Sequence, residues 1–476
     1  MILKRSIAVV MCVLLLFAPQ AAFAYKNPAS LPDEWGQYGL GDPYVLKFNG
    51  TYYLYVSTRD TDVGVKVWSS PDLVNWSYGG LAATDPVTKG AYAPEVVYWN
   101  GYFYMYTSPA GNGHYVLRSE SPTGPFTVQT GNLGHSIDGN VFIDDDGKWY
   151  FYHANGEGIL AAEMPTPTTI GNSVNTGASM NGWTEGSTLF KRNGKYYMTY
   201  TGNHVFSKGY RVDYAVSTNP LKGFVRDTDN PLLISTEGPT VGLGHNTVVV
   251  GPNLDARYII YHNLEGKGIV GPLRHMGMDR IVFNGDKMSV LGPTATEQPD
   301  PEMPDFEDRF KGSELSTAWT NADGVNWSLD SGLLHQQAAG TSRLLTTAEA
   351  GSSYTAEFNL QLAESSKAEG QRLGAVFSYK GDNDFRTALL DPASNSLKTQ
   401  FRVNGADLGW EESTLPEGYD YTKLHNIRVE KAGDTFKIYV DGMLKQTRSA
   451  KLGGGSIGYV TENAKAISVM LLSATT

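Results

Sequence analysis

The stretch from residue 42 to residue 55, DPYVLKFNGTYYLY, sets the pattern that decides the fold. A mostly apolar run meets an Asn-Gly pair and is followed by a run rich in tyrosine. An Asn-Gly pair allows the two positive φ angles of a tight hairpin turn, and aromatic and β-branched residues favour strands on either side. The stretch therefore predicts a β-hairpin whose first strand begins next to Asp42.

The same pattern recurs four more times along the chain. The further copies are APEVVYWNGYFYMY (93–106), IDGNVFIDDDGKWYFY (137–152), TEGSTLFKRNGKYYMTY (184–200), and GHNTVVV (244–250) followed by RYIIY (257–261). Further strand patterns follow the hairpins, as in VKVWS (65–69). Four short strands that recur every 40 to 60 residues or so are typical of propeller blades. The sequence predicts an all-β protein with a five-bladed β-propeller over residues 25–297.

The pattern changes after residue 297. Residues 298–305 are rich in proline and acidic residues and show no periodicity, which predicts a linker. From residue 306 to residue 476, segments such as YTAEFNL (354–360) and TFKIYV (435–440) alternate with period two. This alternation predicts a second domain, a β-sandwich of the jelly-roll type.

The first residues have the pattern of a secretory signal peptide. Lys4 and Arg5 precede an apolar run, residues 7–17, and the triplet Ala22-Phe23-Ala24 supplies a cleavage site. The run is shorter than the roughly 20 residues of a membrane span. We therefore expect residues 1–24 to be removed and the mature protein to be secreted. The single cysteine, Cys12, lies inside this segment, so the mature chain is predicted to have no disulfide and no thiolate nucleophile.

Charge and composition limit the partners. The chain has a net charge of −11 and no basic run, which argues against nucleic acid or an anionic membrane as partner. Aromatic residues make up 12% of the chain, including 28 tyrosines, and flat rings stack well on sugar faces. These features favour a neutral plant-cell-wall polysaccharide or oligosaccharide.

The candidate site residues lie where the first strand of each blade begins. The innermost strands of a propeller line its central channel, so these starts converge on one mouth. They carry Asp42, Glu95, Asp138, Glu185 and His245. Taken singly, the aspartates read as turn residues, Glu95 as a solvated strand-edge residue and His245 as a hydrogen-bonded core histidine. Together, at equivalent points of a repeat, they indicate a functional site.

Short motifs in all five repeats resemble glycoside hydrolase family 43. They are GDPYV (41–45), YAPEV (92–96), SID (136–138) with FIDDDGKWY (142–150), TEGS (184–187) and GHN (244–246). The resemblance implies an inverting enzyme with Asp42 as general base, Glu185 as general acid and Asp138 as the carboxylate that orients the acid and tunes its pKa. It also implies that His245 can organise a calcium ion or a water molecule, and that Arg274 reaches toward the acid and the sugar.

Three further residues are predicted to bind substrate because they lie in or beside these motifs: Tyr92, Glu95 and Trp183. The chemistry agrees with the resemblance, since glycoside hydrolysis needs one protonated carboxyl group and one carboxylate that activates water. A close negative charge such as Asp138 would keep Glu185 protonated. No cofactor is required, although a structural calcium ion is compatible with the resemblance.

The resemblance favours an α-L-arabinofuranosidase. The alternatives are a β-xylosidase, an arabinanase or an exo-galactanase of the same family, and, in another class, a carbohydrate-binding protein without catalytic activity. The second domain resembles laminin-G-like sandwiches in the segments WSLDSG (327–332) and YVDG (439–442). It could bind polysaccharide or brace the propeller.

Overall fold

The structure is a computed structural model that describes residues 24–266, 271–324, 327–364, 368–451 and 454–475. Residues 1–23 of the predicted signal peptide lie outside the described residues. The fold is all-β as predicted, and the one helix in the described ranges is a single 3₁₀ turn at Pro86–Thr88. In these ranges no helix is long and apolar enough to cross a membrane.

The first part of the chain forms five four-stranded antiparallel sheets, which confirms the predicted five blades. In chain order its strands are β1 (Ala24–Tyr25); β2 (Tyr44–Phe48), β3 (Thr51–Tyr55), β4 (Val65–Ser70) and β5 (Ser77–Ala83) in blade 1; β6 (Ala91–Trp99), β7 (Tyr102–Pro109), β8 (Tyr115–Ser119) and β9 (Thr127–Val128) in blade 2; β10 (Asn140–Ile143), β11 (Trp149–His153), β12 (Leu160–Met164) and β13 (Val174–Asn175) in blade 3; β14 (Thr184–Arg192), β15 (Lys195–Gly202), β16 (Arg211–Ser217) and β17 (Val225–Arg226) in blade 4; β18 (Thr240–Val250), β19 (Arg257–Glu265), β20 (Arg274–Asn284) and β21 (Lys287–Val290) in blade 5; and β22 (Gln298–Pro299). Within the predicted linker, β22 pairs with β1 and so ties the two ends of the propeller together.

The hairpin turns have the backbone geometry that the sequence predicts. At Asn49–Gly50, Asn100–Gly101 and Asn193–Gly194 both residues have positive φ, between 47° and 92°. A two-residue turn of this kind matches the twist of the flanking strands. It fixes the register of each hairpin, so the strand starts are brought to one side of the propeller and the turns to the other.

Tyrosine hydroxyl groups join neighbouring blades. In three blades, the hydroxyl of one tyrosine on the second strand donates a hydrogen bond to a proline carbonyl oxygen of the next blade. That proline lies in the loop between the third and fourth strands. The pairs are Tyr55–Pro122 (2.5 Å), Tyr106–Pro167 (2.6 Å) and Tyr152–Pro220 (2.8 Å). The three rings are fully buried between blades. In three of the five blades this contact gives one tyrosine of the second strand a role in joining neighbouring blades.

The second part of the chain forms two antiparallel sheets that enclose a separate apolar core. Its strands are β23 (Phe306–Asp308), β24 (Trp319–Asn321), β25 (Trp327–Asp330), β26 (Leu333–Gln336), β27 (Thr341–Thr346), β28 (Ser353–Leu362), β29 (Arg372–Gly381), β30 (Asp384–Asp391), β31 (Ser396–Val403), β32 (Ala406–Thr414), β33 (His425–Ala432), β34 (Thr435–Val440), β35 (Met443–Ser449), β36 (Ser456–Glu462) and β37 (Ala466–Thr475). One sheet has the order β25-β26-β37-β28-β33-β34-β35, with β23 also on β37, and the other has the order β24-β27-β36-β29-β30-β31-β32.

The eight-stranded sheet of the sandwich packs on the propeller at the ends of the innermost strands. Lys47, near the end of β2, places its Nζ 3.0 Å from Oε2 of Glu357 on β28, and Nη1 of Arg428 on β33 lies 3.0 Å from Oε1 of the same carboxylate. Arg428 also donates a hydrogen bond to the carbonyl oxygen of Leu254. The sandwich therefore covers the turn side of the central channel and leaves the strand starts, where the candidate residues lie, uncovered.

Candidate active site

The site is built on a backbone feature that repeats at the entrance to each innermost strand. One residue per blade has positive φ there: Asp42 (53°), Ala93 (40°), Asp138 (61°), Gly186 (55°) and His245 (39°). Such values are uncommon for residues other than glycine and concentrate at functional sites. Three of these five are candidate residues. The bend in the backbone at each positive-φ residue, called the kink below, turns their side chains into the mouth of the channel.

The other two candidates occupy different positions of the repeat, which corrects the prediction that all five are equivalent. Glu185 precedes the kinked Gly186 by one residue, and Glu95 follows the kinked Ala93 by two. Irregular pairing between Tyr92 and Glu95 and between Glu185 and Thr188 accompanies these shifts. Because each step along an innermost strand leads away from the mouth, Glu95 lies deeper in the channel.

Asp42 is held as an ionised carboxylate. Nη1 of Arg274 lies 2.8 Å from each of its oxygens, and the hydroxyl of Ser57 donates a further hydrogen bond. Burial would raise the pKa of Asp42, but the charges of Arg274 and His245 outweigh burial and hold this pKa well below its usual range. A buried carboxylate that stays ionised can accept a proton from water.

Arg274 contacts Asp42, and its expected reach toward the acid and the sugar stays a prediction. Its guanidinium also lies over the ring of Tyr38, 4.6 Å from the ring centroid. Gly41 makes room for this arrangement, because a Cβ at Gly41 would lie 2.0 Å from Cζ of Arg274. Arg274 is thus a partner of the predicted base.

Glu185 has the opposite electrostatic environment. Tyr210 donates a hydrogen bond to its Oε1 (2.6 Å), and Nε1 of Trp183 donates to its Oε2. Burial raises the pKa of Glu185, and these two hydrogen bonds offset only part of the rise. Trp183 keeps 38% of its surface exposed at the mouth of the channel, where a ligand can reach its ring. Glu185 therefore suits a proton donor.

Asp138 and His245 lie between the two groups. Nδ1 of His245 is 3.2 Å from Oδ1 of Asp42 and 3.5 Å from Oδ2 of Asp138. Burial and the charge of Glu185 raise the pKa of Asp138 to about 7, although His245 opposes this rise. Asp138 also accepts a hydrogen bond from the backbone N–H of Gly186 (3.2 Å), so it fixes the residue next to the acid.

The surroundings of His245 suit a cationic imidazole. Burial would lower its pKa, but Asp138 and Asp42 raise the pKa of His245 to about 9. A protonated ring carries the positive charge that a calcium ion would otherwise bring between these carboxylates. The described ranges contain no group of three or more His, Cys, Asp or Glu residues arranged to hold a metal ion. The role that the resemblance implies for His245, organising a calcium ion or a water molecule, stays a prediction.

Glu95 and Tyr92 are three residues apart in the chain but have different partners. Oε2 of Glu95 accepts a hydrogen bond from Nδ2 of Asn140 (2.8 Å), and Oδ1 of Asn140 accepts one from the backbone N–H of Leu189 (3.0 Å). Burial raises the pKa of Glu95 to about 8. Tyr92 is partly exposed and donates to Asp60 at the rim. Their roles in substrate binding stay predictions.

Sequence reasoning missed several residues that contact the candidate groups, among them His262 and Tyr210. Nδ1 of His262 lies 3.1 Å from the backbone nitrogen of Asp42 and 3.2 Å from its Oδ1, and burial lowers the pKa of His262 to about 4. The ring of Tyr210 stacks on His262, with centroids 5.7 Å apart. In the sequence His262 directly follows the RYIIY segment (257–261) of the fifth repeat, a position that is the signal that could have pointed to it.

The arrangement places a carboxylate of lowered pKa and a carboxyl group of raised pKa at one channel mouth. This contrast is what acid–base cleavage of a glycosidic bond requires, because one group must take a proton while the other gives one. The carboxyl group of Asp138 and the imidazole of His245 interact electrostatically with both of these groups. The site can therefore carry out general acid–base hydrolysis with no cofactor in the proton transfers.

Comparison with known proteins agrees with this chemistry. The family described as "Glycosyl hydrolases family 43" matches residues 37–289. The chain is 25% identical over 272 residues to the "Beta-D-galactofuranosidase xynD" of Aspergillus niger, covering 51% of this chain and 79% of that protein. It is 28% identical over 290 residues to an "Arabinoxylan arabinofuranohydrolase" of Paenibacillus polymyxa, covering 46% of this chain and 44% of that one. A "Xylosidase/arabinosidase" of Butyrivibrio fibrisolvens is 23% identical over 314 residues, or 58% of this chain and 59% of that protein.

Solved structures show the same fold. A thermostable family-43 glycoside hydrolase is 33% identical and matches 58% of this chain and 99% of its own with a TM-score of 0.52. The BlXynB protein from Bacillus licheniformis is 20% identical and matches 95% of this chain and 100% of its own, also with a TM-score of 0.52, which supports the fold alone. Because the family match covers more than half of the sequence, the chain belongs to glycosyl hydrolases family 43 and is a glycoside hydrolase.

Proposed function

We propose that the enzyme is an inverting α-L-arabinofuranosidase that acts on arabinose- and xylose-containing plant polysaccharides or their oligosaccharides. The observation that carries the proposal is the opposite environment of two buried carboxyl groups: Arg274 lowers the pKa of Asp42, while burial raises the pKa of Glu185. Names of relatives support the choice of sugar, since three of the matched proteins are named arabinofuranohydrolase or α-L-arabinofuranosidase.

In the proposed reaction, Asp42 removes a proton from a water molecule as the water oxygen attacks the anomeric carbon. The bond from that carbon to the glycosidic oxygen breaks, and Glu185 gives its proton to the departing oxygen. The products are a free sugar of inverted anomeric configuration and an alcohol. The hydrogen bond from Gly186 to Asp138 and the contact of His245 with both aspartates keep the two groups in place.

A panel of nitrophenyl glycosides tests the choice of sugar. The panel contains α-L-arabinofuranoside, β-D-xylopyranoside and β-D-galactofuranoside, with linear arabinan and arabinoxylan as polymers. We expect the highest kcat/KM on the arabinofuranoside. Higher kcat/KM on the xyloside or the galactofuranoside would replace arabinofuranosidase by the activity named for other relatives. Release from no substrate above the level of Glu185→Gln would indicate a carbohydrate-binding protein instead.

We also propose that the mature enzyme is secreted and begins at Tyr25. The apolar run of residues 7–17 and the small residues at 22 and 24 support this proposal. The test is N-terminal sequencing of the protein recovered from the medium of an expressing bacterial culture. A first residue of Tyr25 supports cleavage, whereas intact protein confined to the cells contradicts it.

A further inference from the structure

The seven-stranded sheet of the sandwich has a face turned away from the propeller. In β27, β29, β30 and β36 alternate residues join the sandwich core, and the residues between them form a second, smaller cluster. That cluster contains Leu345, Val376, Leu389 and Val460, which are 0–5% exposed. The propeller contacts the other sheet, at Glu357 and Arg428. We call the side of the seven-stranded sheet that carries the second cluster the free face.

Trp410 on the edge strand β32 extends over the free face. Its ring centroid lies 5.2 Å from Cζ of Arg372, which belongs to β29. Strands β30 and β31 lie between β29 and β32, so at a spacing of about 4.8 Å per strand these two strands are about 14 Å apart. The two side chains therefore meet above the intervening strands. Trp410 keeps 43% of its surface exposed, so the part of its ring that Arg372 does not cover is open to a ligand.

Polar side chains around Trp410 are already fixed in place. Arg372 lies 2.8 Å from Asp391 and 2.8 Å from Glu462, and Lys398 lies 2.9 Å from Asp391. Asp391 itself is 2% exposed, so this network is part of the folded domain rather than a set of loose surface groups. It supplies donors and acceptors at fixed positions around an aromatic ring.

The charges of the free face select among partners. Each cation near Trp410 is paired with a carboxylate, so the face offers no excess positive charge to an anionic polymer or a nucleic acid. An uncharged ligand rich in hydroxyl groups complements such a face, because it can hydrogen-bond to both signs of charge without breaking the pairs. The apolar face of a sugar ring can at the same time stack on the indole.

We propose that the free face binds a neutral polysaccharide chain, with Trp410 stacking on a sugar ring and with Arg372 and Lys398, which the buried Asp391 holds in place, donating hydrogen bonds to its hydroxyl groups. The choice of polymer rests on the proposed function. The free face and the catalytic mouth lie at opposite ends of the molecule, because the sandwich covers the turn side of the propeller. Binding at the free face keeps the enzyme on the polysaccharide. The sugar bound there is not the one that enters the catalytic mouth.

Native electrophoresis through gels that contain polysaccharide tests the proposal with the full chain. The Glu185→Gln variant serves as the parent, so that the polymer is not consumed. Arabinoxylan, linear arabinan and galactan are the probes, with bovine serum albumin as the reference for mobility. We expect at least one polymer to retard the parent, and Trp410→Ala in that parent to weaken the apparent affinity by about tenfold or more, the scale of a central tryptophan contact.

Two control variants separate stacking from the loss of any exposed apolar side chain. Trp410→Phe should keep part of the affinity, and Val225→Ala, which shortens a side chain that is 72% exposed on the propeller, should keep all of it. Thermal unfolding of each variant verifies that it is folded. Equal retardation of Trp410→Ala and its parent would overturn the proposal, as would the absence of retardation by every polymer tested.

A second copy of the chain is the competing occupant, because β32 is an exposed edge strand. Light scattering after size exclusion decides between the two. A dimer that Trp410→Ala converts to a monomer would overturn polysaccharide binding at this face, and a monomer in both cases supports it. Hydrolysis of nitrophenyl glycosides by the unaltered chain is measured separately, so a failure of the proposed function is seen independently of this binding assay.

Discussion

Replacing Tyr210 by phenylalanine should move the alkaline limb of the pH profile to higher pH. The Tyr210 hydroxyl donates to Oε1 of Glu185 at 2.6 Å and stabilises the ionised form of that carboxyl group. A hydrogen bond to a charged group contributes roughly 1.5–3 kcal/mol, and one pKa unit corresponds to about 1.4 kcal/mol. The pKa of Glu185 should therefore rise, and the alkaline limb should move up by about 1–2 pH units. Because the acid works protonated, activity should persist to correspondingly higher pH.

The assay is kcat/KM for the best nitrophenyl glycoside, measured across the pH range for the unaltered enzyme and for Tyr210→Phe. Tyr200→Phe is a matched control, because Tyr200 is equally buried and lies on the neighbouring strand β15, but its hydroxyl has no hydrogen-bond partner among the described residues. The control should leave the alkaline limb in place. An alkaline limb of Tyr210→Phe that is unchanged, or that moves to lower pH, would refute the assignment of Glu185 as the acid stabilised by this contact.

Other substitutions test the remaining parts of the account. Arg274→Gln removes the cation that lowers the pKa of the first-blade aspartate, so the acid limb of kcat/KM should move to higher pH, and an unmoved acid limb would contradict the pairing. Asp138→Asn should lose about 10²-fold or more in kcat. It should also move the alkaline limb to lower pH, because the charge that opposes ionisation of the acid is gone. Glu357→Ala leaves Lys47 and Arg428 without their shared carboxylate and should lower stability by about 3–5 kcal/mol in urea unfolding. The double variant Lys47→Met, Glu357→Leu should recover part of that loss, and equal losses in both would argue against ion-pair energetics.

The fold was predictable because its signals are local. Each Asn-Gly turn and each tyrosine-rich strand specifies one hairpin, and five copies at regular spacing specify a propeller. The candidate carboxylates were predictable for the same reason, since they lie at the starts of these hairpins. Family motifs added the distinction between base and acid, which spacing alone does not contain.

What the sequence did not reveal depends on long-range geometry. The kinked residue of the second blade is Ala93, and no local pattern shows that Glu95 lies two positions further down the channel. Arg274 is 232 positions from Asp42 in the chain, and only the closure of the fifth blade against the first brings them together. The packing of the sandwich on the turn side likewise depends on surfaces that exist only after both domains have folded.

The most direct test of the central claim is the turnover of Glu185→Gln on two substrates of the same sugar that differ in leaving group. An alkyl glycoside needs a proton on its departing oxygen, whereas a glycosyl fluoride does not. The account predicts that kcat falls by about 10²-fold or more on the alkyl glycoside and by much less on the fluoride. Equal losses on both substrates, or near-normal turnover of the alkyl glycoside, would contradict the role of Glu185 as the general acid.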